Sequence, residues 1–267
     1  MNAVCYPLPL ENWHDFRANV IQFCDSWRAH PPGADCTLFA MCCRYEADSE
    51  VREIFRELPV EFSRYDGGGF DIGAHQHCAL EIGDAFQIGV SSRTFFHREG
   101  WLKKVLEVRE YFGPGLFATA VSLETGVQHF RTYFYGMETA EWRQYPHLIG
   151  SKETTFAFEH AAYGRQDMCI LNWAKGRPHM AIAAVNWDGG WRETEWFFRP
   201  NIFRLGDQSN LLAFDRHTEL WRAASAEAKE YGRRVAFGIS EPPPPEKKTD
   251  VADDELPQPI SRGSVDS

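Results

Sequence analysis

The sequence has no apolar run near the ~20 residues that a membrane-spanning helix requires. Its first residues, Met1 to Leu10, have neither the basic start nor the apolar centre of a secretory leader. A basic face is also missing. Net charge is −10, and no Lys/Arg cluster offers the footprint that nucleic acid requires. None of the seven cysteines forms a Cys-x-x-Cys pair, which excludes a zinc ribbon or a thioredoxin-type centre. No internal repeat is visible, and no Asp-x-Asp occurs anywhere. The expectation is a reduced, cytoplasmic protein that would meet any lipid-linked partner at a membrane surface.

Hydrophobic residues make up 43% and aromatics 14%, enough for a packed core rich in rings. Charge is uneven. From Ser240 onward the acids outnumber the bases, Pro242 to Pro245 interrupt the chain, and no aromatic appears. Such a segment cannot bury enough surface to order itself. The expected organisation is a single domain over 1–239 and a disordered acidic, proline-rich tail over 240–267.

Within that domain, periodicity predicts helices over Asn12 to Ala29, Asp48 to Leu58, Ala74 to Ile82 and Trp101 to Phe112. Strands are expected at Cys36 to Cys43, Val60 to Ser63 and Asp84 to Val90. Cys42 and Cys43 should point to opposite faces of their strand. The second half reads as strands at Leu116 to Ser122, His129 to Tyr135 and Pro178 to Trp187. Helices are expected at Glu138 to Tyr145, at Glu153 to Lys175 with a break at Gly164, and at His217 to Tyr231. Trp187 to Gly206 reads as loop. This alternation implies an α/β fold with a mainly parallel sheet covered on both faces.

Chemistry concentrates between Tyr65 and Trp101. Asp66 and Asp71 bracket Gly67-Gly68-Gly69, and glycines let a backbone approach a ligand while the aspartates accept hydrogen bonds from sugar hydroxyls or base edges. The bland alternative is a glycine turn whose aspartates bond local amides. Strand Asp84 to Val90 then stops at Ser91-Ser92-Arg93, and in α/β sheets ligands sit beyond such strand ends. Arg93, His97 and Arg98 crowd the same stretch, and a guanidinium can neutralise a leaving diphosphate. His75 and His77, two apart on a helix, cannot chelate together. They are expected to be solvated or capping.

In this order the motifs resemble the glycosyltransferases of the GT-A fold, especially the large inverting family 2 and its bacterial polysaccharide-type relatives. The resemblance rests on the strand-helix Cys36 to Leu58, the loop Tyr65 to Ala74 with its partner strand, Phe158-Glu159 at a helix start, and Arg204 to Asn210. It implies a GT-A-like mixed, mainly parallel sheet flanked by helices. The implied reaction is transfer from a nucleotide-diphosphate sugar to a glycan, lipid-linked or protein hydroxyl. Glu159 would be the general base, Asp66, Asp71, Ser92, Arg93 and His97 the donor contacts, and His129 and Arg131 part of the acceptor cleft. Arg204, Asp207 and Gln208 would form a late loop over the donor. The family's Asp-x-Asp pair would hold a divalent cation. Here Ser91-Ser92-Arg93 stands in its place, so no metal ligand is assigned and metal dependence stays open.

Plainer readings accompany these. Glu159 could be a surface acid paired to Arg165, His129 and Arg131 the exposed face of a strand, and Trp187, Trp191 and Trp196 local core. A degenerate nucleotide-sugar or glycan binder is the alternative function, followed by a nucleotidyltransferase.

Overall fold

The computed structural model describes residues 1–123, 127–192, 202–204, 206 and 208–236. The expected tail, Trp196 and Asp207 lie outside the described residues. The chain begins with a strand that the periodicity did not announce, β1 (Asn2–Leu8). Its residues Ala3 to Leu8 are all buried, so no alternation betrays it, and Pro7 argues against a central strand. β1 nevertheless lies inside the sheet, paired in parallel with β2 (Thr37–Cys43) on one side and β4 (Phe86–Val90) on the other. β3 (Val60–Tyr65) joins β2, also in parallel, and closes that edge. The carboxyl ends of all four strands therefore share one edge of the sheet.

Helices α1 (Trp13–Ala29), α2 (Ser49–Ile54) and α3 (Phe70–Glu81) make the crossovers. α3 starts four residues before the expected Ala74. Gly69, at φ 88°, turns the chain into it, so Asp71 sits in its first turn. After β4 the chain forms β5 (Phe95–Phe96), α4 (Trp101–Phe112, as expected), β6 (Gly115–Ala118), β7 (Val121–Ser122), β8 (His129–Phe130) and β9 (Phe134–Glu138). Next come α5 (Thr139–Gln144), α6 (Lys152–His160), α7 (Ile170–Lys175), β10 (Ala181–Asn186), β11 (Gly189–Arg192), β12 (Ala213–Phe214), α8 (Arg216–Ala223) and α9 (Ala226–Ala236). The main sheet runs β11-β10-β6-β9-β4-β1-β2-β3, with antiparallel pairs at β4–β9, β6–β9 and β10–β11. It is a mixed, mainly parallel sheet flanked by helices.

Several boundaries differ for local reasons. The helix expected over Glu153 to Lys175 stops at Ala161, whose φ of 56° ends it before Gly164 is reached. Part of the expected loop after Trp187 is strand β11. The last helix divides at Ala224, whose extended backbone caps α8. Cys42 and Cys43 do face opposite ways: Cys42 joins the core that contains Val51 and Phe55, and Cys43 packs beside Cys5 and Cys78.

The glycine loop serves packing more than ligand approach. A Cβ on Gly68 would overlap the Gly150 carbonyl, and one on Gly73 the Gly68 carbonyl. Thr155 Oγ1 donates to the Gly69 carbonyl at 2.8 Å, and Tyr65 donates its hydroxyl to Gly68. The loop thus fastens the start of α3 to the start of α6. Gly68→Ala should cost about 1–3 kcal/mol in urea unfolding, the usual range for overpacking. Gly83→Ala, where a Cβ meets nothing within 4 Å, should be near neutral. Equal effects would refute the packing role.

Candidate functional site

The turn after β4 is braced from several directions. Ser91 donates its amide to the Tyr133 carbonyl (3.2 Å) and to Thr94 Oγ1 (3.0 Å), and Thr94 Oγ1 donates to the same Tyr133 carbonyl at 2.7 Å. The Arg93 amide donates to Ser91 Oγ at 3.2 Å, and the Tyr6 hydroxyl to the Ser92 carbonyl at 3.0 Å. One turn upstream, the buried His75 holds the last carbonyl of β4. Its Nε2 donates to Val90 O at 2.7 Å, which leaves Nδ1 to accept from the Tyr135 hydroxyl at 3.0 Å. Burial drops the His75 pKa to about 4, against the opposing pull of the Val90 bond. His75 is therefore neither solvated nor a cap. A Cβ on Gly89 would strike its ring, so the glycine makes room for it.

Asp71 closes this turn from the side of α3. Asp71 is half-buried in the first turn of α3 and lies beside Ser92. Burial lifts its pKa to about 7; Ser92 and Arg93 pull down, and Glu159 pushes up. Ser92, Arg93 and Glu159 are thus all near enough to Asp71 to act on its carboxyl. Arg93 also stacks over Phe16 in the first turns of α1, 5.0 Å from the ring centroid. Glu159 is half-buried on α6. Arg165, the pairing partner considered for it, binds Asp167 at 2.9 Å instead.

Asp66 stands apart. It is exposed and paired to Arg64 at 2.9 Å, at the end of β3. Three strand spacings, ~14 Å, separate β3 from β4 along the shared edge. His97 leaves the site altogether. Arg93 sits over Phe16, but Phe96 bonds its amide to Ser26 Oγ, ~15 Å further along α1. There His97 stacks flat on Phe214 at 3.9 Å, and burial, then Arg222, lower its pKa to about 4.

The later residues divide too. His129 is buried, not on an exposed strand face. It donates Nδ1–H to the Val127 carbonyl at 2.8 Å and packs 5.3 Å from His160, the neighbour of Glu159. Burial lowers its pKa to about 3. Arg131 and Arg204 share one ring, their guanidiniums 4.4 and 5.1 Å from the centroid of Phe203. Gln208 is fully buried and structural. With its carbonyl turned to the donors, it accepts from Trp221 Nε1 at 3.0 Å and the Arg204 amide at 2.7 Å. Trp187 is anchored in local core, donating to the Leu211 carbonyl at 3.0 Å.

Sequence reasoning missed Tyr6, Phe16, Asp215 and His217. Asp215 caps α8, taking the Thr218 amide and hydroxyl at 2.8 Å each, and faces Arg131 at 3.9 Å. His217 follows on the same turn. It is exposed, and its pKa is lowered by desolvation and then by Arg131, Arg204 and Arg93, while Asp215 opposes them. A cap residue opening a final helix was the available signal.

The GT-A resemblance implies a divalent cation. Among the described residues, no three His, Cys, Asp or Glu side chains come together to hold a metal. No helix among them is long and apolar enough to cross a membrane.

No protein-family model and no curated sequence matches the chain. Among solved structures it is similar to S. aureus TarS, at 13% identity over 46% of this chain and 22% of that one, TM-score 0.36. It is similar to mouse xyloside xylosyltransferase 1 at 11% identity, over 69% of this chain and 85% of that one, TM-score 0.44. A Bacillus anthracis protein described as a glucose-1-phosphate thymidylyltransferase, in complex with sucrose, matches at 10% identity over 84% and 96%, TM-score 0.44. The chain spans less than a quarter of TarS.

The Asp71 proton gives a direct test. Because its folded pKa lies above the ordinary 3.8, the folded chain holds a proton that the unfolded chain has lost between about pH 4 and 7. Stability from this group therefore falls as pH rises through that window. Relative to wild type, Asp71→Asn should gain stability between pH 5 and pH 8, read from urea midpoints. A difference that does not change with pH would mean the carboxyl is not buried.

Proposed function

We propose that this protein is a glycosyltransferase, moving a sugar from a nucleotide-diphosphate donor to an acceptor hydroxyl with inversion. The observation that carries the reading is the meeting of Asp71, Ser92, Arg93 and Glu159, from three separate segments, at the carboxyl end of β4. Ligands of α/β sheets bind at such an edge.

In this mechanism the acceptor oxygen attacks the anomeric carbon as its proton passes to Glu159. The bond from that carbon to the phosphate oxygen breaks, and its electron pair leaves with the diphosphate. Arg93, fixed by the braced turn and by Phe16, receives the developing charge. Asp71 holds the turn rigid from below. Asp66, on the same sheet edge, is offered as a contact for the nucleoside. On α6, Phe156 and His160 stack at 5.5 Å beside Glu159, and His129 backs His160. The acceptor, whether glycan, lipid-linked or protein, would enter along that face.

A second reading, a donor binder without turnover, is favoured by Ser91-Ser92-Arg93 standing where a metal-binding acid pair is expected. One experiment separates the two. A nucleotide-sugar panel is screened by thermal shift and by product analysis. A glycosyltransferase gives donor stabilisation and sugar transfer or donor hydrolysis, and binding without product gives the second reading. Glu159→Gln should lower turnover by roughly 100-fold or more, as loss of a general base does, while the donor-induced shift persists. Undiminished turnover would remove Glu159 from the reaction. Nucleotide-sugar formed from a nucleoside triphosphate and a sugar phosphate would mark a nucleotidyltransferase instead.

A further inference from the structure

We infer that Phe70 and Tyr163 are stacking platforms for the sugar rings of a glycan acceptor, set on either side of Glu159. The role of Glu159 as base rests on the glycosyltransferase reading; the platforms rest on backbone conformation and exposure. Among the described residues, these two are the aromatic side chains carried on left-handed backbone, Phe70 at φ 50° and Tyr163 at φ 57°. A bulky residue adopts that region only under strain. Each stands next to a glycine that adopts it freely, Gly69 at φ 88° and Gly164 at φ 71°. Burial does not offset the strain. Both rings are 60% exposed, and neither stacks on another ring among the described residues.

Both residues flank Glu159. Thr155 Oγ1 donates to the Gly69 carbonyl at 2.8 Å, which pins the peptide leading into Phe70 against α6. Thr155 and Glu159 are i and i+4 on that helix, so they share a face and lie about 6 Å apart along its axis. On the other side α6 ends at Ala161, and Tyr163 follows Glu159 by four residues. The Arg165 amide, bonded to the Ala162 carbonyl at 3.1 Å, closes the turn that displays it. Strained residues that packing does not require are retained for what they touch. The face of an aromatic ring is electron-rich, and the C–H face of a pyranose offers it partly positive hydrogens while the hydroxyls point away. A hydroxyl of a sugar stacked in this way would meet Glu159. Two rings held apart, with Glu159 and His160 between them in the chain, suit a run of sugars; an acyl chain requires a continuous apolar face.

The test applies the full chain to a microarray of gluco-, galacto-, xylo- and N-acetylglucosamine oligosaccharides, then titrates it with the best-bound oligomer and assays transfer onto that oligomer. Wild type is expected to bind at least one. Phe70→Gly and Tyr163→Gly should each weaken that binding roughly tenfold, the worth of one aromatic contact, and Phe70→Tyr should keep it. Glycine takes left-handed backbone without strain, so both glycine variants should have urea midpoints no lower than wild type. Their thermal shift with nucleotide sugar should match wild type. A wild-type chain that binds none of the oligomers, or glycine variants that bind as it does, would overturn the platforms. So would a lower urea midpoint, which makes the rings packing elements, or a lost donor shift, which makes them nucleobase contacts. Transfer to a protein or lipid hydroxyl that ignores both variants would sink the platforms and leave the glycosyltransferase reading standing. Glycan binding that depends on Phe70 and Tyr163, without transfer from any nucleotide sugar, would do the reverse.

Discussion

The Tyr133 carbonyl accepts two hydrogen bonds from the turn after β4, one from the Ser91 amide and one from the Thr94 hydroxyl, and these fix the conformation of that turn. Asp71, in the first turn of α3, lies beside Ser92 and Arg93 of the same turn. Protein around the Asp71 carboxyl raises its pKa to about 7, against the pull of the nearby Arg93. Arg93 extends from the turn over the ring of Phe16. The glycine loop belongs to the same device, since only bare backbone lets α3 start this close to Gly150 and α6.

A second support comes from below. His75, neutral and fully buried, pins Val90 while Tyr135 pins His75. Tyr6 reaches from β1 to the Ser92 carbonyl, and Tyr133 takes two bonds from Ser91 and Thr94. Groups from β1 and from the segment before β9 therefore end on one short turn, and His75 of α3, backed by Tyr135 of β9, holds the strand end that leads into it. Preorganisation of this kind lets a charged group stabilise a leaving group without first having to reorient.

Much of this was legible from the residues. The alternation of short apolar runs with amphipathic stretches foretold the parallel half of the sheet, and the break after Val90 marked the end of β4. Asp71, Ser92, Arg93 and Glu159 were legible as candidates because their types suit the proposed chemistry and their segments flank strand ends. β1 was not legible, for burial on both faces erases the period-two pattern and Pro7 masks what remains. His97 misled because nearness in sequence to Arg93 suggested nearness in space, whereas β5 carries it back along α1. Gln208 misled in another way: its polarity serves Trp221 and the Arg204 amide inside the protein. Asp215 and His217 were missed because an ordinary cap says nothing about which arginines will gather around it.

The central claim is that a nucleotide-sugar donor binds at the carboxyl edge of β4. Backbone amide shifts recorded while ¹⁵N-labelled protein is titrated with a panel of nucleotide sugars test it most directly. The account predicts the largest changes at Asp71, Ser92, Arg93 and Glu159, all saturating together with one donor. Changes confined to other surfaces, or none with any donor at millimolar concentration, would contradict it.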